Sequence, residues 1–177
     1  MADPTATAFY GTRYVFAELR QKSVNFDTRV NVTFSPTLTF ELYAQPFISS
    51  VHYSQLKEFA APRGLRKLVY GQDIGTVTTS RDATGAVTDY TIDPDGSGPA
   101  APFTVSNPDF NFRSLRGNAV VRWEYRPGST LFFVWTRSSS DVASYVGDLA
   151  FSRDTDALFK AKADNVFLVK VNWWLNR

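Results

Sequence analysis

Apolar and polar residues alternate along two neighbouring stretches in the second half of the chain, residues 112–126 and 130–138. Adjacent side chains of a strand point to opposite faces, so this alternation predicts strands with one apolar and one charged face. Between the stretches, Pro127 supplies a fixed φ and Gly128 a permissive backbone, as a short turn requires. The sequence therefore predicts an antiparallel hairpin.

The same alternation predicts further strands on either side of this hairpin. The predicted strands are 10–23, 26–34, 38–48, 112–126, 130–138 and 166–175. All of them are expected to belong to a single domain that comprises residues 1–177.

The segment 49–107 interrupts this series, because Gly, Pro, Asp, Ser and Thr accumulate there and the apolar period is lost. Within it, the β-prone stretches 75–81 and 87–92 flank a turn sequence and predict a polar hairpin. We expect 49–107 to be a long outer loop that contains this hairpin. A second polar connection is predicted at 138–164.

The lengths of the connections favour a membrane protein. The links at 35–37 and 126–129 are short, whereas those after 47 and 137 are long. If strands alternate in direction, both short turns lie at one end, as in outer-membrane barrels. The predicted fold class is all-β: an antiparallel transmembrane β-barrel, or a partial barrel completed by other strands or copies, with long polar extracellular loops. A soluble β-sandwich would show the same alternation and is the alternative.

The two faces of the predicted strands carry different residues. Charged residues on the polar faces are expected to face the lumen: Arg29, Glu41, Arg116, Arg122, Glu124 and Lys170. Aromatic residues on the apolar faces, near the short turns, are expected at the membrane interface: Phe34, Phe40, Trp123, Tyr125 and Trp173. The lumen would then be either a passive polar pathway or filled by ion pairs.

Composition narrows the class of protein further. Aromatic residues make up 15% of the chain, which suits strands and interfaces. The net charge of +2 is scattered without a basic stripe, so no nucleic-acid partner is expected. The chain has no cysteine, which excludes disulfides and thiolate metal sites. No apolar run approaches the ~18 residues of a membrane helix. The first residues show no secretory signal, so we expect a cytoplasmic chain or part of a longer protein.

Two stretches suggest local chemistry. Asp93, Asp95 and Ser97 surround Gly96 like the start of a calcium loop, although the same composition forms an ordinary polar turn. No other cofactor is indicated. His52 is the only histidine, and no G-x-S-x-G motif accompanies it. We therefore predict no enzyme, with a hydrolase centred on His52 as an alternative.

Three motifs resemble a known family. They are YAQPF at 43–47, NPDFNFRSLRGNAVVRWEYRPGSTLFFVWT at 107–136 and DNVFLVKVNWW at 164–174. Together they resemble the C-terminal barrel region (domain of unknown function 5916) of bacterial envelope proteins that carry an N-terminal family-9-like carbohydrate-binding domain. The resemblance implies the bacterial outer membrane and a membrane-associated barrel, and it brings no established activity. The carbohydrate-binding domain has no counterpart in this chain, so sugar binding is not implied.

Six strands are fewer than the ~8 of the smallest single-chain barrels. Strands from a longer parent chain or from other copies are therefore expected to complete the barrel. In the alternative, the polar hairpin adds two strands and the barrel closes by itself. The predicted function is a structural, anchoring barrel in the lipid bilayer that displays its loops, and the alternatives are a passive pore or transporter segment and a soluble all-β binding module.

Overall fold

Two antiparallel β-sheets and little helix make up the computed structural model, which describes residues 1–175. In chain order, the elements are a 3-10 turn (Thr7–Phe9), β1 (Phe16–Asn25), β2 (Thr28–Ser35), β3 (Leu38–Phe59), β4 (Lys67–Val69), β5 (Thr76–Arg81), β6 (Val87–Asp93), β7 (Phe103–Ser106), β8 (Phe110–Arg126), β9 (Ser129–Ser144), α1 (Phe151–Lys160) and β10 (Ala163–Asn172). The predicted all-β, antiparallel class is confirmed. Within residues 1–175, no helix has both the length and the apolar character needed to cross a membrane.

Strand β3 is the hub of the larger sheet, whose order is β1-β3-β8-β9-β10, with β2 and β4 also paired to β3. Strand β2 runs antiparallel to β3, with Thr28 opposite Ala44. The backbone N–H of Phe26 donates to the carbonyl of Pro46 at 3.2 Å, which continues the same register toward β1. Strands β1 and β2 therefore follow one another along β3, and two predicted strands share one position in the sheet.

Strands β5, β6 and β7 form the smaller, three-stranded sheet. The predicted polar hairpin corresponds to β5 and β6, which pair from Thr76 opposite Asp93 to Arg81 opposite Val87. In its turn, the Asp82 carboxylate accepts the backbone N–H of Thr84 at 2.8 Å. This hairpin pairs with β7 rather than with the larger sheet, so it contributes no strand to that sheet.

The segment 49–107 is less irregular than the sequence predicts, because β3 continues through its first part to Phe59. Residues 48–51 are buried without interruption, so polar and apolar positions no longer alternate there. Further along β3, Gln55 has a φ of 50°, which disrupts the period again. Because of these two features, the alternation of polar and apolar residues does not predict the second half of β3.

Helix α1 lies in the predicted polar connection 138–164, and β9 also extends into that connection. The Asp154 carboxylate accepts the backbone N–H of Ala150 at 2.9 Å and so satisfies a donor at the start of the helix. Leu158, which is 1% exposed, packs with Ile48 and Leu115. The tertiary packing of this one side chain stabilises the helix. No local hydrophobic period in the sequence predicts that packing.

The chain divides into two compact units. That residues 1–177 form a single domain stays a prediction. Unit 1 comprises Met1–Gln21, Ser50–Asn111 and Ala143–Asp148, and unit 2 comprises Lys22–Ser49, Phe112–Val142 and the chain from Leu149 on. Unit 1 contains the smaller sheet and buries Val51, Tyr70, Ile92 and Ala100. Unit 2 contains β2, α1 and β10, together with large parts of β3, β8 and β9.

Candidate functional site

A polar groove lies on one face of the sheet in unit 2. It has a volume of about 450 Å³ and is lined by Arg29, Asn31, Glu41, Leu42, Tyr43, Asn118 and Val120. Arg29 and Tyr43 are cross-strand partners, and the guanidinium carbon of Arg29 lies 5.9 Å from the centre of the Tyr43 ring. The Tyr43 hydroxyl donates to the Asp27 carboxylate at 3.0 Å. The groove therefore contains positively and negatively charged side chains close to one another.

The predicted lumen charges share this face. Arg29 and Glu41 line the groove directly. On β8, Asn118 and Val120 line the groove. Every second residue of a strand points to the same face, so the other even-numbered residues of β8 share it, namely Arg116, Arg122 and Glu124. Arg122 and Glu124 form an ion pair at 3.5 Å that is partly exposed and therefore weak.

Lys170, the sixth predicted lumen charge, also lies on this face of the sheet, opposite to the face of Phe167 and Val169, but away from the groove. On β10 it stands opposite Phe132 of β9, and its ammonium lies 5.9 Å from the centre of that ring. Its long side chain therefore covers an aromatic ring with its cation, an arrangement of favourable energy. The polar face thus carries mostly polar residues on β2, β3 and β8, whereas on β10 it also carries Val166 and Leu168.

An apolar surface in unit 2 is formed mainly by Ala119, Val121, Phe133, Val134, Trp135, Phe167, Leu168 and Val169. The rings of Trp135 and Phe167 stack with centroids 6.4 Å apart. Indole Nε1 of Trp135 donates to the Asn165 side chain at 3.0 Å, so its polar atom is satisfied. Phe167 is nevertheless 76% exposed and Val169 is 59% exposed. A contiguous patch of this kind marks a surface that normally contacts something other than water.

The predicted interface aromatics fall into three places. Trp123 and Tyr125 make an edge-to-face pair with centroids 6.2 Å apart, and Phe40 lies opposite Val32 in the β2–β3 pair. Phe34, near the end of β2, is exposed. Trp173 follows β10, and its ring lies 5.9 Å from the guanidinium carbon of Arg126, the residue after Tyr125.

His52 has a partner that the sequence does not reveal. In unit 1, its Nδ1 lies 2.7 Å from Oδ2 of Asp109, while Oδ1 of the same carboxylate accepts the backbone N–H of Tyr53 at 2.7 Å. Asp109 is 57 residues away in the chain, so no spacing rule could have identified it. The close approach of Gly147 covers the pair, since an added Cβ would lie 2.6 Å from Oδ2 of Asp109.

The His52–Asp109 pair has the geometry of a brace. Both carboxylate oxygens are occupied, and the backbone carbonyl of Asp109 accepts the N–H of Tyr145 at 2.7 Å. The pair thereby ties β3 to the start of β8 and to the segment after β9. An orienting carboxylate is also half of a catalytic arrangement, but the acid–base role would require a reacting group within hydrogen-bond reach.

The candidate calcium loop uses its oxygens for its own backbone. Asp93 accepts the N–H of Gly96 at 2.9 Å, and Asp95 accepts the N–H of Ala100 at 2.9 Å. The N–H of Ser97 donates to the Asp95 carbonyl at 3.0 Å. In residues 1–175, no group of three or more His, Asp or Glu side chains is arranged to hold a metal ion. Calcium binding by Asp93, Asp95 and Ser97 stays a prediction.

An ionic network in unit 1 was also missed by sequence reasoning. Arg13 bonds the Asp3 carboxylate at 2.8 Å and the Glu58 carboxylate at 2.5 Å, and the Tyr70 hydroxyl donates to Glu58 at 2.6 Å. Burial of Tyr70 raises the pKa of its hydroxyl, and the hydrogen bond to Glu58 raises it further. Burial lowers the pKa of Arg13, but its bonds to Glu58 and Asp3 outweigh that effect and raise it.

These features define an all-β protein of long antiparallel strands, with a polar groove and an apolar surface in one unit and satisfied ionic groups in the other. The chain belongs to the family described as Domain of unknown function (DUF5916), whose model matches residues 78–176. This match confirms the resemblance to this domain. It includes the motifs at 107–136 and 164–174, whereas the motif at 43–47 lies outside it, and it does not include a carbohydrate-binding domain. No curated protein and no solved structure matches the chain.

Proposed function

We propose that the chain is a structural, anchoring β-barrel segment of the bacterial outer membrane that displays its long polar loops, with the apolar surface of unit 2 in the lipid bilayer. The observation that carries this proposal is the exposed apolar surface of unit 2. Its side chains are large and contiguous, and water is a poor solvent for all of them. Hydrocarbon tails would remove this cost, and no catalytic role is proposed.

The length of the strands supports the proposal. Strand β8 has 17 residues and β9 has 16, whereas strands of soluble proteins usually have about 3–10. On β8, α1 packs against Leu115, which leaves the stretch 117–125 uncovered on the apolar face. A stretch of this length matches the ~9–11 tilted residues that cross a bilayer.

Two adjacent valines of β8 provide a matched test. Val121 lines the apolar surface and Val120 lines the polar groove. An arginine on the lipid face near the bilayer midplane costs about 2–4 kcal/mol, whereas substitutions on the lumen side are tolerated. We therefore expect Val121→Arg to abolish insertion into lipid vesicles and Val120→Arg to leave insertion nearly unchanged.

Insertion is measured by quenching of tryptophan fluorescence with bromine-labelled acyl chains. The wild type and Val120→Arg are expected to be quenched by these lipids and protected from a water-soluble quencher. Equal behaviour of both arginine variants, together with a wild type that stays monodisperse in buffer, would overturn the proposal. It would favour the soluble all-β binding module instead.

The polar groove favours a second candidate, a passive pore. Its opposite charges and its volume of about 450 Å³ suit a lumen lined by Arg29 and Glu41 on adjacent strands. Single-channel conductance in planar bilayers tests it, and Arg116→Glu is expected to shift ion selectivity toward cations. Vesicle insertion without any conductance would leave a filled lumen and the anchoring role.

A further inference from the structure

Strand β10 presents a free edge with apolar side chains on both of its faces. It pairs with β9 from Ala163 opposite Ser139 to Asn172 opposite Thr130, and no described residue pairs with its other edge. Val166 is 61% exposed and Leu168 is 53% exposed on one face, while Phe167 and Val169 are exposed on the other. A long, apolar, unpaired edge is a template for another strand.

The sheet in unit 2 has five strand positions in the order β2-β3-β8-β9-β10. Neighbouring strands are antiparallel throughout. Strands β2 and β3 are paired in this way, as are β9 and β10. The end of β8 meets the start of β3, where the N–H of Glu124 donates to the carbonyl of Thr37 at 2.7 Å. A two-residue turn reverses the chain between β8 and β9. The outer strands β2 and β10 therefore run in the same direction.

This parity restricts what can close the sheet. If β10 of one copy joined β2 of another, the two strands would be parallel, unlike the strands of bacterial single-chain barrels. If β10 joined β10 of a second copy about a two-fold axis, the pair would be antiparallel. That arrangement would turn one copy upside down and place its short turns on the opposite side of the membrane. Neither use of a second copy fits an oriented barrel.

We propose that the free edge of β10 binds an antiparallel strand that is not a second copy of this chain, and that the partner contributes an odd number of strands, at least ~3. This inference rests on the proposed membrane function. Each partner strand would alternate apolar and polar residues, so that its polar side extends the groove and its apolar side extends the apolar surface. Backbone hydrogen bonds along β10 supply the affinity.

The absence of cysteine allows a direct test in detergent. The probe is a synthetic peptide with the β9 sequence of residues 130–139 and one added C-terminal cysteine, because this sequence already pairs with the other edge of β10. The full chain carries a single cysteine, either Asp164→Cys at the start of β10 or Val171→Cys near its end. An antiparallel peptide brings its C-terminus to position 164 and a parallel peptide brings it to position 171.

We expect a peptide disulfide at least 10-fold more abundant with Asp164→Cys than with Val171→Cys, and none with a peptide that contains proline in place of Val134. A control with the cysteine in the smaller sheet, Thr78→Cys, is expected to give no product. Preferential reaction at Val171→Cys, no peptide disulfide, or predominant chain-to-chain disulfides through β10 would each overturn the inference. Lipid quenching of the same variants is read separately, so a chain that inserts but fails this test refutes only the inference.

Discussion

Units 1 and 2 differ in which kinds of side chain they bury and which they expose. In unit 1, the charges of Arg13, Asp3 and Glu58 lie nearly out of water and satisfy one another. In unit 2, apolar side chains such as Phe167 lie open while charges line a groove. Buried polar groups require partners, and exposed apolar patches require a neighbour. The contrast is that unit 1 pairs its buried charges, whereas unit 2 leaves a contiguous group of large apolar side chains exposed.

The difference is also one of strand length and layering. The smaller sheet of unit 1 has strands of 4 to 7 residues, which is ordinary for a water-exposed hairpin structure. The strands that enter unit 2 are much longer, and α1 covers part of their apolar face through Leu158. A sheet of this length with one short helix cannot bury its own apolar residues.

The largest effect is expected from Glu58→Ala in unit 1. Removal of this carboxylate leaves Arg13 with an incompletely paired charge and Tyr70 without its acceptor, which costs about 3–5 kcal/mol. Hydrogen exchange followed by peptide mass spectrometry is expected to show faster exchange at 1–15 and 67–73. The control is Glu18→Ala, whose ion pair with Lys57 is exposed and weak. Equal exchange in both variants would contradict a role of this ionic network in the stability of unit 1.

In unit 2, Leu158→Ala tests whether the one covered part of the apolar face depends on α1. A buried leucine cut to alanine costs about 2–5 kcal/mol, because a cavity remains among Ile48 and Leu115. We expect α1 to lose its exchange protection. The neighbouring Phe159 is 65% exposed, so Phe159→Ala is expected to change little. If both variants lost the helix equally, the packing of Leu158 would not be what holds it.

The smallest effect is a titration that distinguishes the enclosed network of unit 1 from exposed tyrosines. The folded-state pKa of Tyr70 is raised, so its contribution to stability is fully present below the unfolded pKa of about 10 and is lost as the pH rises through the folded value. The hydrogen bond to Asp27 raises the pKa of Tyr43 and burial raises that of Tyr90, but the shift of Tyr70 is the large one, so ultraviolet absorbance is expected to show Tyr70 as the last tyrosine to ionise. This component should disappear in Tyr70→Phe and persist in Tyr10→Phe, since Tyr10 is 99% exposed. Its persistence in Tyr70→Phe would contradict the assignment.

The hairpin β8–β9 could be predicted from sequence because its signals are local. Alternation fixes the faces of both strands, and Pro127 and Gly128 fix the turn, where Gly128 has a φ of 78°. The second half of β3 was not predictable in this way, since residues 48–51 are buried on both faces. Helix α1 depends on tertiary contacts of Leu158, which a local pattern does not encode.

The candidate sites divide along the same line. The six predicted lumen charges share a face because strand alternation is a local rule, whereas the position of Lys170 outside the groove depends on which strands neighbour β10. Asp109 could not be assigned to His52, because their meeting depends on the pairing of distant strands. The network around Arg13 likewise joins three separate parts of the chain.

The position of β3 at the centre of the pairing has a consequence for the order of assembly. Strand β3 forms a hairpin with β2 across a tight turn, so this contact forms quickly. Strand β8 is separated from β3 by a long stretch of sequence, so its pairing with β3 has a larger entropic cost of loop closure. Topologies dominated by such distant contacts fold slowly, and their strand edges stay unpaired and prone to aggregation until folding is complete. A chain built around β3 is therefore expected to fold slowly and to be prone to aggregation until β8 has paired.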